Sequence, residues 1–386
     1  MSTPHRITTN QPQHFDAVVI GARVAGASTA MLLARAGANV LLVDRARRGS
    51  DTLSTHTLMR GAVRRLSDWG LLDRIWDAGT PAVTSVDFTY GPVEFTVPVK
   101  PKPDVPGLAA PRRTVLDPIL VDAAEEAGVI TTFETSFVEP VRDRAGTVCG
   151  AVLNRNDVLT TVSCDVLIGA DGRTSRVARS VGAPVTRAGI HASASCITRL
   201  ADTDLATDRF HWLYDAQIGA GVVPTNDGHV IFTVSSPAVF RRNRHNLEGL
   251  FNRTLAAFGP ELVERVSAGR TTSPMRSIPG IPGHFRKPSG PGWALVGDAG
   301  YFKDPWSAHG IADAFRDAEL VAEACGSRNF EAYERERDER SIPLFEVLER
   351  MGSFDWSLDE LQDLHRQLSE TMRFDDTYRS ELAAAA

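Results

Sequence analysis

Residues 15–44, FDAVVIGARVAGASTAMLLARAGANVLLVD, constrain the fold of this chain more than any other stretch. The apolar run 17–20 reads as a buried parallel strand, and the small-residue turn from Gly21 to Gly26 leads into a helical run, 27–36, stopped by Gly37. A second strand at 40–43 closes a βαβ unit on Asp44. In such a unit the glycines permit a tight turn, let backbone approach a pyrophosphate and bring the helix close to the strand, while the helix N-terminus faces the negative charge. Asp44 follows Gly21 by 23 residues, where a carboxylate can accept hydrogen bonds from a ribose.

Arg23 stands where the middle glycine of the pattern belongs. Its side chain either obstructs close approach of a phosphate or lies along it and donates. A βαβ unit with small turn residues and no ligand has the same strand and helix. The strand, helix and acid in correct order favour dinucleotide binding.

The rest of the chain organises around this unit. An arginine-rich loop carrying Ser54, Thr55 and His56 precedes a helical pattern at 58–69, where Ser or Thr suits an N-cap and all three are candidate ligand contacts. Alternation over 83–97 with Gly91-Pro92 at its centre reads as a hairpin, and five prolines in 98–111 mark an irregular connection. A helix is expected at 116–127, then strands at 130–133, 138–141, 148–153, 158–162 and 166–168, the last leading into Gly169-Ala170-Asp171-Gly172. Residues 185–275 change character to strand-like segments at 192–197, 210–214, 221–223 and 230–234, followed by two helices across 247–266. A strand at 293–296 ends in Gly297-Asp298, a helix starts near Gly310, and helical stretches at 330–350 and 358–372 close the chain, with the last four alanines expected to fray.

This gives an α/β fold: a Rossmann-like nucleotide-binding domain assembled from residues 1–80, 105–184 and 276–328, with an inserted mixed-sheet substrate domain formed by the hairpin 81–104 and by 185–275, and C-terminal helices at 329–386. The net charge of −6 supplies no basic field for nucleic acid. Cys149, Cys164, Cys196 and Cys325 are scattered without metal-ligand spacing, so no metal is expected and reduced thiols in a cytoplasmic protein are. Residues 1–14 lack the apolar core of a leader, and no run reaches the roughly 18 apolar residues of a membrane span. Only four lysines accompany 38 arginines, which lowers the weight of any single arginine near a motif.

Three motifs fall in one order: the Gly21–Gly26 turn with its acid, DVLIGADGRTSRV at 165–177, and WALVGDAGYFKDPWSAHGIADAFRDAEL at 293–320. The ordered set resembles the FAD-dependent monooxygenases of the para-hydroxybenzoate hydroxylase structural group, over nearly the whole chain, and less closely the geranylgeranyl reductases and flavin-dependent halogenases. The halogenase WxWxIP signature is missing. The resemblance implies a cofactor-binding set: Gly21, Arg23, Ala25 and Gly26 at the ADP pyrophosphate, Asp44 and Arg45 at its ribose, and Arg113, in Arg-x-x-Leu-x-x-x-Leu spacing, against FAD. It adds Asp171 and Gly172 near the pyrophosphate and the nicotinamide path, Gly297 and Asp298 at the ribityl chain, and Pro305, Gly310 and Ile311 beside the flavin ring. Tyr301, Ala308, His309 and Ala312 depart from the group's residues, and Tyr301 and His309 are taken as candidate catalytic side chains.

The implied activity is reduction of FAD by NADPH or NADH, a transient co-substrate since no second fingerprint exists. Addition of molecular oxygen would give a C4a-hydroperoxyflavin, and one oxygen atom would pass to an aromatic or polyketide-like small molecule. Flavin carries the hard chemistry, so the missing Ser/His/Asp constellation does not count against an enzyme. Phe210, His211, Trp212, Tyr214, the loop 221–224 and Trp306 are candidate substrate contacts. The rival readings are a geranylgeranyl-type double-bond reductase and a flavin-binding redox protein without turnover. Substrate identity and oligomeric state are not legible.

Overall fold

A computed structural model describes residues 13–102 and 104–385; residues 1–12, most of the segment read for a leader, lie outside it. The first βαβ unit forms as expected, with strands His14–Ile20 and Val40–Val43 around helix Val24–Arg35. Parallel pairing then runs Trp293–Leu295, Val158–Gly169, His14–Ile20, Val40–Val43 and Ile130–Thr132 across one eight-stranded sheet.

Strand alternation divides its side chains between two cores. Ala17, Val19, Leu42 and Ile168 pack under helices Val24–Arg35, Arg113–Glu126 and Gly310–Ser327, with Met31, Leu120 and Phe315. Val18, Ile20, Val43, Leu167 and Leu295 face the other way, against Val177 and Ala178. Leu42 and Ile168 are fully buried, so truncating either to alanine costs about 2–5 kcal/mol.

The two strands expected at 158–162 and 166–168 are one continuous strand, Val158–Gly169. Its exposed first half pairs antiparallel with Val148–Arg155, and its buried second half pairs parallel with His14–Ile20. Apolarity alone had split it where the chain leaves solvent for the core.

The second sheet has seven strands, in the order Arg270–Ile278, Ala194–Ala201, Gly228–Ser235, Ile218–Thr225, Arg209–Asp215, Ser85–Tyr90 and Val93–Pro98. Its outer face carries Cys196, Leu213 and Ile231 against Leu250 and Leu255 of helix Leu247–Ala256. Its inner face presents Ser195, Ile197, Trp212, Tyr214, Phe232 and Val234 to a cavity. The hairpin joins it through a parallel pairing, Phe88 opposite Trp212, that crosses the first sheet's sequence. A small sheet of Val185–Ala188, His284–Arg286 and Tyr301–Phe302 was not foreseen.

Helices Phe330–Gly352 and Leu358–Ala385 close the chain. Helix continues into the terminal alanines expected to fray, in keeping with alanine's top helix propensity. Among the described residues no helix is long and apolar enough to cross a membrane. All four cysteines are free thiols, two of them only partly buried.

Candidate active site

A cavity of about 820 Å³ lies between the two sheets, and its walls come from all three motifs. One arm runs along the first βαβ turn. Gly21 has φ +109°, and a Cβ there would lie 2.4 Å from the Ala170 carbonyl oxygen; at Gly26 it would lie 1.7 Å from that of Gly21. No side chain fits either position; Gly21 lines the cavity, while Gly26 packs behind it against the Gly21 carbonyl and is not on the wall.

Asp44 Oδ2 accepts from Ala22 N and Oδ1 from Ala46 N, both at 2.7 Å. These bonds aim a carboxylate at the cavity, which Arg45, Ala25 and Gly21 also line. Arg23 borders the cavity too, but its guanidinium is held by Asp117 Oδ2 at 2.9 Å and by Ser50 Oγ at 3.0 Å. Of the two roles left open for Arg23, the structure gives it a third: it staples the loop after Asp44 to helix Arg113–Glu126.

Arg113 opens that helix and lines the cavity, whereas Arg112 is tied outward to Asp227 at 2.6 Å. Asp171 and Gly172 contribute to the cavity wall, but the Asp171 carboxylate caps the next helix, accepting from Arg176 N at 2.6 Å and Val177 N at 3.1 Å. Ser54 and Thr55 are on the wall. His56 is buried behind them at φ +66°, where burial and the Arg113 charge push its pKa down to about 3.

Asp298 presents an exposed carboxylate at the cavity wall. It opens into the cavity from the end of strand Trp293–Leu295, and no hydrogen bond or ion pair engages its carboxylate among the described residues. Surrounding protein raises its pKa, an effect that Lys303, Arg113 and Arg173 partly oppose. A carboxylate so placed is free to accept from ligand hydroxyls. Gly297 beside it adopts φ +57°, and its N–H donates to Asp317 Oδ2 at 3.1 Å.

Beyond Asp298 come Pro305, Gly310 and Ile311, all on the wall. No side chain caps helix Gly310–Ser327, so its first N–H groups point at the cavity end as a positive pole. The donor set thus fits FAD: backbone turn and acid for the ADP half, a free carboxylate for polyol hydroxyls and a helix N-terminus for the electron-rich ring.

The two candidate catalytic side chains are corrected by position. Tyr301 is buried behind the wall, stacked on Phe285 at 4.3 Å, with its hydroxyl 3.4 Å from the Ser341 carbonyl and its pKa raised by burial. His309 is likewise buried and does not line the cavity. Both follow from strand and helix geometry: Tyr301 lies in a two-residue strand whose neighbour Phe302 takes the cavity side, and His309 is the helix's N-cap.

The second arm is apolar. Trp212, Tyr214, Ala220, Phe232, Ile278, Ile281 and Trp306 line it, with Tyr214 and Trp306 stacked at 5.8 Å and 9°. Of the expected substrate contacts, Trp212, Tyr214 and Trp306 are here, while Phe210, His211 and the loop 221–224 are not. Lys303, Asp304, Ser193 and Ser195 supply its polar groups, and none was singled out from sequence. Lys303 gave one usable signal, as one of four lysines in an arginine-rich chain. Its ammonium pairs with Asp313 and lies 4.6 Å from the Tyr301 ring centroid.

Residues 14–340 match the family model described as FAD binding domain. The chain is 27% identical over 193 residues to phenol 2-monooxygenase of Pseudomonas sp. strain EST1001, a match covering 43% of this chain and 30% of that protein's length. It is 25% identical to digeranylgeranylglycerophospholipid reductase 2 of Methanopyrus kandleri, over 77% of this chain and 73% of the reductase. Among solved structures, a triple mutant of the flavin-dependent brominase Bmp2 superposes with TM-score 0.81 over 94% of both chains, at 19% identity.

Proposed function

Because this chain belongs to the FAD-binding-domain family and is an FAD-dependent oxidoreductase, we propose that it is a monooxygenase that hydroxylates an aromatic or polyketide-like small molecule at the expense of NADPH or NADH. The observation that carries this reading is the continuity of the two cavity arms. A cradle suited to FAD opens directly into an aromatic-walled pocket, so a planar apolar substrate would lie against the ring end without crossing solvent.

Bound FAD supplies hydride acceptance and oxygen activation. The protein's share is placement and exclusion of water. Asp44 and Asp298 would accept hydroxyl donors from the ribose and ribityl chain, and the first turn of helix Gly310–Ser327 would favour negative charge at the ring. Trp212, Tyr214, Phe232 and Trp306 would dehydrate and orient the substrate. Lys303, neutralised by Asp313, leaves the arm without a net positive charge from that pair.

A reductase reading draws support from the Methanopyrus relative, whose match spans about three quarters of both chains. FAD-reconstituted protein mixed with NADPH or NADH and a panel of phenolic substrates under air decides between the two. Oxygen and reduced nicotinamide should be consumed near one to one. Full-rate product formation under anaerobiosis would install the reductase reading instead.

A further inference from the structure

The segment 189–193 carries the chain from the small sheet to the seven-stranded sheet, and two acidic side chains grip it. Glu349, from helix Phe330–Gly352, accepts from Ile190 N at 2.8 Å and His191 N at 3.2 Å. Gly189 permits this approach, since a Cβ there would lie 2.2 Å from Glu349 Oε1. Asp304 accepts from Ser193 N at 2.5 Å and Ser193 Oγ at 2.8 Å, and from Trp306 N in its own loop at 3.0 Å.

We propose that Asp304 is a positioning residue whose carboxylate latches Ser193, and with it the start of the internal strand Ala194–Ala201, onto the Pro305–Trp306 loop, setting the width of the apolar arm. Ser193 and Ser195 line that arm together with Asp304, Pro305 and Trp306. That the arm holds substrate rests on the function proposed above; the latch itself does not.

The two backbone bonds need Asp304 as an acceptor, whereas the Ser193 hydroxyl can donate or accept. When protonated, Asp304 can donate from Oδ1 to Ser193 Oγ while its remaining lone pairs accept from the two N–H groups. Burial pushes the Asp304 pKa up to about 6; the Ser193 and Trp306 bonds oppose this and the Glu349 charge adds to it. Because the latched, buried state holds the proton more tightly than a solvated carboxyl would, the latch is favoured as pH falls through about 6 and loosens as pH rises through it. Charged or titratable groups near it are Glu349 on the long helix, His191 on the strap, Lys303 and His309 in the loop, and Asp313 and Arg316 on the following helix, where Asp313 pairs with both Lys303 and Arg316. Imidazoles can titrate in the same range, so His191 needs its own control.

Hydrogen exchange of the peptide spanning 190–195 in FAD-loaded protein, corrected for intrinsic rate, reads the latch without substrate. A failed latch is thereby distinguished from a failed monooxygenase assignment. At pH 7.5 the Asp304→Asn variant should exchange there about ten-fold faster or more than the parent while retaining FAD. The parent should lose protection as pH rises through about 6, and the variant should show no such step. Ser193→Ala removes one bond that lowers the pKa and should move the parent's midpoint upward, whereas His191→Gln should leave it in place. If Asp304→Asn fails to fold, the Ser193→Ala midpoint decides alone. Equal protection in parent and Asp304→Asn, a midpoint unmoved by Ser193→Ala, or one displaced by His191→Gln would each overturn the proposal.

Discussion

Arg113 Nε donates to Asp117 Oδ1 across 2.7 Å, one helical turn along the same helix, so the guanidinium on the cavity wall is aimed from beneath by its own element. Asp117 is buried, and its other oxygen engages Arg23 at 2.9 Å. One carboxylate therefore orders two arginines at the cofactor arm.

Arg113→Ala should weaken FAD binding about ten-fold or more, the loss of one charge-assisted contact. Arg112→Ala should leave affinity nearly unchanged, because that side chain is engaged by Asp227 and Asp51 outside the cavity wall. Equilibrium titration of apoprotein with FAD separates the two, and the reverse ranking removes Arg113 from the site.

Asp298→Ala should raise the FAD dissociation constant roughly ten-fold or more, through loss of a hydrogen bond to a charged acceptor worth about 1.5–3 kcal/mol. Asp157→Ala is the matched control, since Asp157 sits at φ +63° in the turn joining strands Val148–Arg155 and Val158–Gly169. Equal dissociation constants would eliminate Asp298 as a ligand.

Ala308 adopts φ +53° immediately before the helix at Gly310, a left-handed conformation that costs a side-chain-bearing residue about 1–2 kcal/mol. Part of that strain disappears in Ala308→Gly, offset by the greater freedom of glycine in the unfolded chain. A rise of about 1 °C or less in the melting temperature is expected. A fall would mean that the methyl group's contacts at the wall outweigh its backbone strain.

The Asp304 carboxyl titrates at about 6 in the folded protein against a reference of 3.8. A raised carboxyl pKa gives stability that is complete below 3.8 and is lost as pH rises through about 6, by up to about 3 kcal/mol. The melting temperature of the parent relative to Asp304→Asn should therefore be more favourable at pH 4.5 than at pH 7.5, on the order of several degrees. A difference independent of pH would show that Asp304 titrates alike in folded and unfolded chains.

The nucleotide unit was legible because its determinants are local: Gly21 follows the first strand, Gly26 lies in the helix and Asp44 follows the second strand. Asp298 was legible for the same reason, as the residue that follows a short apolar strand. Side-chain direction in the loop between Asp298 and Gly310 was not. Tyr301 and His309 carry attractive chemistry but turn inward, while Lys303 and Asp304 between them line the cavity. The partnership of Ser193 with Asp304 spans 111 residues, and neither residue has a local pattern that announces the other. The parallel pairing of strands Ser85–Tyr90 and Arg209–Asp215 is hidden in the same way, since periodicity identifies strands but not their neighbours.

That parallel pairing also sets an order of events during synthesis. Strand Ser85–Tyr90 emerges from the ribosome 124 residues before its partner at Arg209, a delay of roughly 6–25 s at ordinary elongation rates of about 5–20 residues per second. Throughout that interval the hairpin presents Val93, Phe95 and Val97 on one strand and the unpaired edge of Ser85–Tyr90 on the other. It is too small to persist as folded structure by itself. The first sheet can meanwhile form its central pairing through Gly169, which follows the hairpin and precedes its partner in the chain. Newly made chains truncated between Gly169 and Arg209 thus leave this strand edge and its apolar side chains without their partner strand, and a fragment consisting of residues 185–275 alone lacks two of the seven strands of its sheet.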